Sequence, residues 1–264
     1  MPDVIFNGPD GRLEGRYHQS KQPDAPIAIV LHPHPLHGGN MNNRIVYMMY
    51  NAFVERNFSV LRFNFRGVGR SQGVFDSGIG ELSDAAYAFD WMQQFNKNSP
   101  YCWIGGYSFG ALISMQLMMR RPEIEGFVSI SPPANTEDFS FLAPCPSSGL
   151  ITHGDADDSI PLESVQKLAQ KLDAQKNIEI DFTPIKGADH FYKEKIDNLN
   201  NEICRYLDES LAQEKDEPEK KSKAKKEKIA ALISGDAKYR PLLARLPRLL
   251  RENSKVISAA SARP

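Results

Sequence analysis

One serine, one histidine and a run of aspartates stand in this chain where nucleophilic chemistry could use them. The serine is Ser108, within Gly106-Tyr107-Ser108-Phe109-Gly110. Before it, Tyr101 to Ile104 is a short apolar run suited to a strand; after it, Ala111 to Met119 is apolar at helical spacing. Strand, tight turn and helix together hold the hydroxyl at an apex, at a helix N-terminus whose amide N–H groups can face a developing negative charge. A side chain at Gly106 or Gly110 would clash in so close an approach. The backbone of the serine itself is expected to be strained, by roughly 1–3 kcal/mol. The five-residue pattern alone also fits a plain strand followed by a Gly-Ser helix start; the strand before and the helix after are what make it a nucleophile elbow.

An acid and a histidine follow downstream. The first loop reads His153-Gly154-Asp155-Ala156-Asp157-Asp158-Ser159-Ile160-Pro161, and the second reads Lys186-Gly187-Ala188-Asp189-His190-Phe191. A serine hydroxyl is a poor nucleophile at neutral pH. A histidine in reach takes its proton as it attacks, and a buried carboxylate fixes the imidazole tautomer and stabilises the imidazolium. Taken singly, Asp157 also fits a helix N-terminal turn ahead of Pro161, and His190 a helix cap. Ser108, Asp157 and His190 falling after successive strands, in that order, point to a catalytic triad.

The oxyanion of such a reaction needs two N–H donors. One is expected from Phe109, the residue after the nucleophile, and the other from the loop after the strand Ile27–Leu31. That loop reads His32-Pro33-His34-Pro35-Leu36-His37-Gly38-Gly39-Asn40, and the N–H of His34 is the expected donor. Its flanking prolines lack an N–H and stiffen the segment. His32, His34 and His37 also suggest a zinc site. No carboxylate or cysteine adjoins them in sequence, so neither a metal nor a cofactor is expected. Arg66 and Asp84 are expected to support loops.

The elements that must position these residues alternate. The sequence predicts a hairpin over residues 3–20, broken at Asn7-Gly8-Pro9-Asp10-Gly11, then strands at Ile27–Leu31, Phe58–Phe65, Tyr101–Ile104, Phe127–Ile130, Gly149–Thr152 and Ile178–Phe182. Helices are predicted over 43–53, 81–95, 111–119, 162–172 and 193–211. This is an α/β pattern: a mostly parallel sheet, helices on both faces, an antiparallel hairpin at its N-terminal edge, and functional loops at the carboxyl ends of strands. About sixteen residues separate the strands at Phe127–Ile130 and Gly149–Thr152, too few for a large lid. Phe139, Phe141 and Leu142, in that stretch, are candidates to line an acyl pocket.

From roughly residue 25 to 212 the sequence resembles the α/β-hydrolases. The resemblance rests on the elbow Gly106–Gly110, the loop Arg66-Gly67-Val68-Gly69-Arg70-Ser71 after a strand, the acid loop His153-Gly154…Asp157…Ile160-Pro161, and Gly187…His190. Within that superfamily it is most similar to small cap-less bacterial serine hydrolases related to dienelactone hydrolases and to X-prolyl dipeptidyl-peptidase catalytic domains. The family pattern implies Asp157 as the acid, three residues after Gly154, and leaves Asp155 and Asp158 to turn geometry or solvation. Dienelactone hydrolases carry a cysteine nucleophile where this chain has Ser108, which moves the expectation to a serine esterase. The implied activity is cleavage of a small acyl ester, thioester or peptide through an acyl-enzyme. The alternative is a non-catalytic scaffold of the same fold that binds a small ligand, or a partner protein through its tail.

Composition bounds the rest. The chain has 264 residues, 41% hydrophobic and 25% charged, with a net charge of -1, ample for one large core. Basic residues outnumber acidic ones by 14 to 7 from Glu214 onward, whereas the preceding part is acidic by 26 to 18. Residues 1–212 are therefore expected to form the catalytic domain, and residues 213–264 a charged, basic tail, largely disordered or partly helical. Leucines alternating with Arg240, Arg245, Arg248 and Arg251 could let that tail touch an anionic surface or a partner. No run approaches the ~20 apolar residues of a membrane span, no secretory signal opens the chain, and Cys102, Cys145 and Cys204 read as free thiols of a reducing compartment, the cytoplasm.

Overall fold

Side chains alternate along the buried strands and divide the core in two. In Ile27–Leu31, residues Ile27, Ile29 and Leu31 enter one hydrophobic cluster, while Ala28 and Val30 enter the other. A strand with period two can do this only when both faces of its sheet are covered. The structure is a computed structural model that describes residues 3–216. Its strands are β1 (Asp3–Gly8), β2 (Gly11–His18), β3 (Ile27–Leu31), β4 (Ser59–Phe63), β5 (Cys102–Tyr107), β6 (Ile124–Ile130), β7 (Ser148–Gly154) and β8 (Ile180–Ile185). The helices are α1 (Arg44–Glu55), α2 (Ile79–Phe95), α3 (Phe109–Met118), α4 (Leu162–Asp173) and α5 (Ile196–Asp216). Helices α2, α3 and α4 pack on one face of the sheet, and α1 and α5 on the other.

The sheet runs β1-β2-β4-β3-β5-β6-β7-β8. The β1–β2 hairpin is antiparallel, β2 is antiparallel to β4, and every other pairing is parallel. From β3 the chain moves outward to β4, then returns to lay β5 on the other side of β3. This reversal opens a crevice beyond the carboxyl ends of β3 and β5, where ligands of open α/β sheets bind. Leu31 at the end of β3 pairs with Gly106 near the end of β5, so the loop beginning at His32 and the turn at Ser108 emerge side by side.

Between β6 and β7 the helical content is one 3-10 turn, Ser140–Leu142, so no lid covers the crevice from that segment. Two elements lie further along the chain than their hydrophobic patterns indicate. The edge strand β8 follows its partner, pairing from Gly149↔Ile180 to Gly154↔Ile185, because only β7 supplies its ladder. Helix α5 begins three residues after the expected start because Tyr192 is buried at a positive φ of 52° and the chain turns there. No helix of the described residues is long and apolar enough to cross a membrane. The expected basic tail lies, from residue 217 onward, outside the described residues.

Candidate active site

Ser108 sits at the N-cap of α3 with φ 55° and ψ -118°, a region a non-glycine residue enters only under constraint. The constraint is visible on both sides. Its N–H donates to the Ile130 carbonyl at 2.8 Å. A Cβ on Gly106 would run into the carbonyl of Gly110, and one on Gly110 would stand 2.6 Å from the carbonyl oxygen of His32. Glycine at both positions lets α3 close down on the end of β3, which fixes the elbow against the loop that carries His34.

Asp157 and His190 meet across the loops after β7 and β8. The Nδ1 of His190 lies 2.6 Å from Oδ2 of Asp157. The other oxygen, Oδ1, accepts the N–H groups of Ser159 at 2.8 Å and Ile160 at 2.9 Å. Burial works to raise the carboxyl pKa, but the bonds from His190, Ile160 and Ser159 outweigh it and hold the pKa below the ordinary value. With Nδ1–H given to the carboxylate, Nε2 is the basic nitrogen of the ring. The histidine is tied to the elbow by its neighbour: the Tyr107 hydroxyl donates to the His190 carbonyl at 2.7 Å, and the two rings lie 5.5 Å apart. Asp155 does something else. Its Oδ1 accepts the N–H of Gly187 at 2.5 Å, clasping the two loops together.

Behind Asp157 lies a polar cluster that the sequence pattern did not single out. His153 is fully buried; its Nε2 lies 2.8 Å from the Ile160 carbonyl, which makes that nitrogen the donor, and 3.8 Å from Oδ2 of Asp157. Its Nδ1 is 3.2 Å from the hydroxyl of Ser131, which in turn is 2.9 Å from the hydroxyl of Tyr192. Tyr192 carries no sequence signal beyond being one of nine tyrosines; its role becomes visible only when β6, β7 and the loop before α5 converge.

The loop after β3 explains its own histidines. His32 donates from Nδ1 to the Pro33 carbonyl at 2.7 Å and accepts the Phe65 N–H at Nε2, 3.0 Å away. Both nitrogens are committed, and burial pushes its pKa down to about 4. His34 caps a 3-10 turn, Pro35–His37, through Nδ1, and its carbonyl accepts the N–H groups of His37 and Gly39. The His34 ring stacks on His37 and lies 5.0 Å from the ring of Phe109. Among the described residues neither His34 N–H nor Phe109 N–H has an acceptor, and no group of three or more His, Cys, Asp or Glu could hold a metal ion.

Arg66 holds Asp84 with a fork: its Nε and main-chain N–H reach one carboxylate oxygen at 3.0 and 2.9 Å, and Nη2 reaches the other at 2.8 Å. This pins the loop after β4 to α2. Glu81, buried in the same helix, accepts the N–H groups of Asp76 and Gly78 and so shapes the segment leading into α2.

A cleft of about 690 Å3 is lined by His34 and Phe109, next to Ser108 in the chain, but not by Ser108 itself. Phe75, Ile79, Leu82, Leu112, Met119 and Phe141 supply its apolar wall, and Ser77, Gln116, Arg120 and Glu137 its polar positions. Of the three residues expected here from the sequence, only Phe141 lines it. Phe139 and Leu142 face the other way, into the hydrophobic core, because residues three apart share one side of a 3-10 turn. Another part of the wall, from Phe75 to Ile79, comes from a segment whose Gly, Ser and Asp content reads only as loop.

Comparison with known proteins places these observations in a family. A family model described as serine aminopeptidase, S33, matches residues 26–149. An uncharacterized protein of Rickettsia prowazekii is 54% identical over 211 residues, covering 78% of this chain and 89% of the relative. A protein of unknown function from Agrobacterium tumefaciens, ascribed to the alpha/beta hydrolases, superposes with a TM-score of 0.79 at 60% identity, over 81% of this chain and 98% of the other. A Xanthomonas campestris protein described as an α/β serine hydrolase without lid gives 0.69 at 32% identity, over 76% and 91%.

Proposed function

The chain belongs to the α/β serine hydrolases, and from that premise we propose that it cleaves a small acyl ester through a covalent acyl-enzyme, with thioesters and short peptides as the neighbouring substrate classes. Ser108 is the nucleophile. His190 takes its proton at Nε2 as Oγ attacks the acyl carbon, then gives that proton to the leaving group. Water, deprotonated by the same nitrogen, releases the acid and restores the serine. Asp157 orients the imidazole and balances the charge it gains. The N–H groups of Phe109 and His34 take the developing oxyanion; one such donor is typically worth about 10²–10³ in rate. The apolar cleft beside Phe109 takes the acyl group.

The observation that carries this reading is the 2.6 Å bond between His190 Nδ1 and an Asp157 carboxylate whose second oxygen is already committed. That arrangement leaves one basic nitrogen on an oriented ring, beside an elbow whose serine holds a strained backbone. No cofactor is required. The cytoplasm is the proposed compartment, supported by three cysteines that form no disulfide among the described residues. The test is labelling with a fluorophosphonate probe. The native protein is expected to be labelled and Ser108→Ala is not; a folded native protein that resists the probe would overturn the reading.

A further inference from the structure

The cleft follows one stripe of α3. Phe109, Leu112, Gln116 and Met119 line it at the spacing of a single helix face, and Arg120, just beyond, lines it too. Arg120 lies twelve residues beyond Ser108, in the turn that follows the C-cap Met119; the 10 residues of α3 between them span about 15 Å.

This guanidinium is out of character for the molecule. The neighbouring Arg121 is ion-paired to Asp90 at 2.7 Å, Arg56 to Asp208 at 2.7 Å and Arg66 to Asp84 at 2.8 Å. Arg120 has no hydrogen-bond or ion-pair partner for its side chain among the described residues. Burial alone acts on it, pushing its pKa down from the ordinary value. Glu137 also lines the cleft, but its side chain is exposed and forms no ion pair with Arg120. A half-buried cation without a counter-ion is costly to keep, and this one lines the same cleft as His34 and Phe109, the two residues whose N–H groups are the proposed oxyanion donors.

We propose that the cleft receives an acyl chain carrying a carboxylate at its far end, and that Arg120 grips that carboxylate while the ester carbonyl lies at Ser108. The inference rests on the hydrolase reading above and names its substrate class: monoesters, or the matching thioesters, of dicarboxylic acids. A guanidinium meets a carboxylate with two parallel hydrogen bonds. One arginine balances one negative charge, and no lysine lines the cleft to help it hold a doubly charged phosphate. The apolar walls between the two ends contribute through the methylenes of the chain.

The test compares p-nitrophenyl monoesters of dicarboxylic acids of rising chain length with neutral p-nitrophenyl esters of the same lengths, on the full chain. In the native protein the ratio of kcat/KM, carboxylate-ended over neutral, is expected to climb with length to a maximum above one. In Arg120→Gln the ratio at that length falls about 10–100-fold, the effect of losing a charged hydrogen-bonded pair. In Glu137→Gln, which removes a like charge from the cleft, it rises. A ratio that stays below one at every length, or that Arg120→Gln leaves unaltered, would overturn the inference while the hydrolase reading stands. No turnover of any ester together with no fluorophosphonate labelling would overturn both.

Discussion

Asp157 reaches His190 with one carboxylate oxygen and the turn that carries it with the other. The same side chain thus builds its own loop and holds the imidazole that we propose as the base, whereas Asp155 reaches Gly187 instead. Asp157→Asn keeps the shape but presents an amide N–H or an uncharged oxygen to Nδ1, which disfavours the tautomer with a free Nε2. A loss of kcat of about 10⁴-fold is expected, with the fold intact by circular dichroism. Asp155→Asn removes one clasp, to Gly187, and is expected to cost less than tenfold. The reverse order of effects would place the acid at Asp155.

Buried histidines give the stability a pH signature. Burial holds the His32 pKa at about 4, against an ordinary 6.5, and pushes His153 in the same direction. Below pH 6.5 the unfolded chain binds protons that the folded protein refuses. Stability is therefore complete above 6.5 and lost as pH falls toward 4, by about 3 kcal/mol for His32. Urea unfolding between pH 7 and 4.5 measures this. His32→Gln is expected to be less stable at pH 7 yet to show a shallower slope; equal slopes would remove His32 from the explanation.

Gly110 couples the elbow to the loop after β3. Its missing side chain admits the carbonyls of Leu31 and His32, main-chain atoms that cannot swing aside. Gly110→Ala is expected to lose about 1–3 kcal/mol of stability and, by lifting α3 off β3, to lower kcat more than the binding of substrate. A denaturation midpoint and a kcat equal to those of the native protein would show that the contact is slack.

His34 enters the proposed mechanism through its main chain and the cleft through its ring. His34→Ala keeps the N–H but loses the ring contact with Phe109 and the cap on Leu36. A kcat within about fivefold and a raised KM are expected from steady-state kinetics, since removing an oxyanion donor itself would cost about 10²–10³. A loss of kcat on that larger scale would assign a chemical role to the imidazole.

Much of this protein is legible in its residues. The elbow can be read because Gly106 and Gly110 mark the two places where main chain touches main chain, a local requirement written in residue types. The strands can be read because a sheet buried on both faces demands continuous apolar runs, as in Ile27–Leu31. The order Ser108, Asp157, His190 follows from loops at the ends of β5, β7 and β8. Other features depend on partners distant in sequence. The choice of Asp157 over Asp155 and Asp158 was carried by family resemblance, and only the meeting of the β7 and β8 loops shows which carboxylate reaches His190. Tyr107 and Tyr192 gain their roles from atoms 61 to 83 residues away. One wall of the cleft comes from a segment with no pattern of its own, and the isolation of Arg120 is a relation to every described acid it fails to meet. Residue type and short-range spacing determine where the chain can bend, bury and react; which groups then touch is decided by packing, because contact across the sheet depends on distances no single segment encodes.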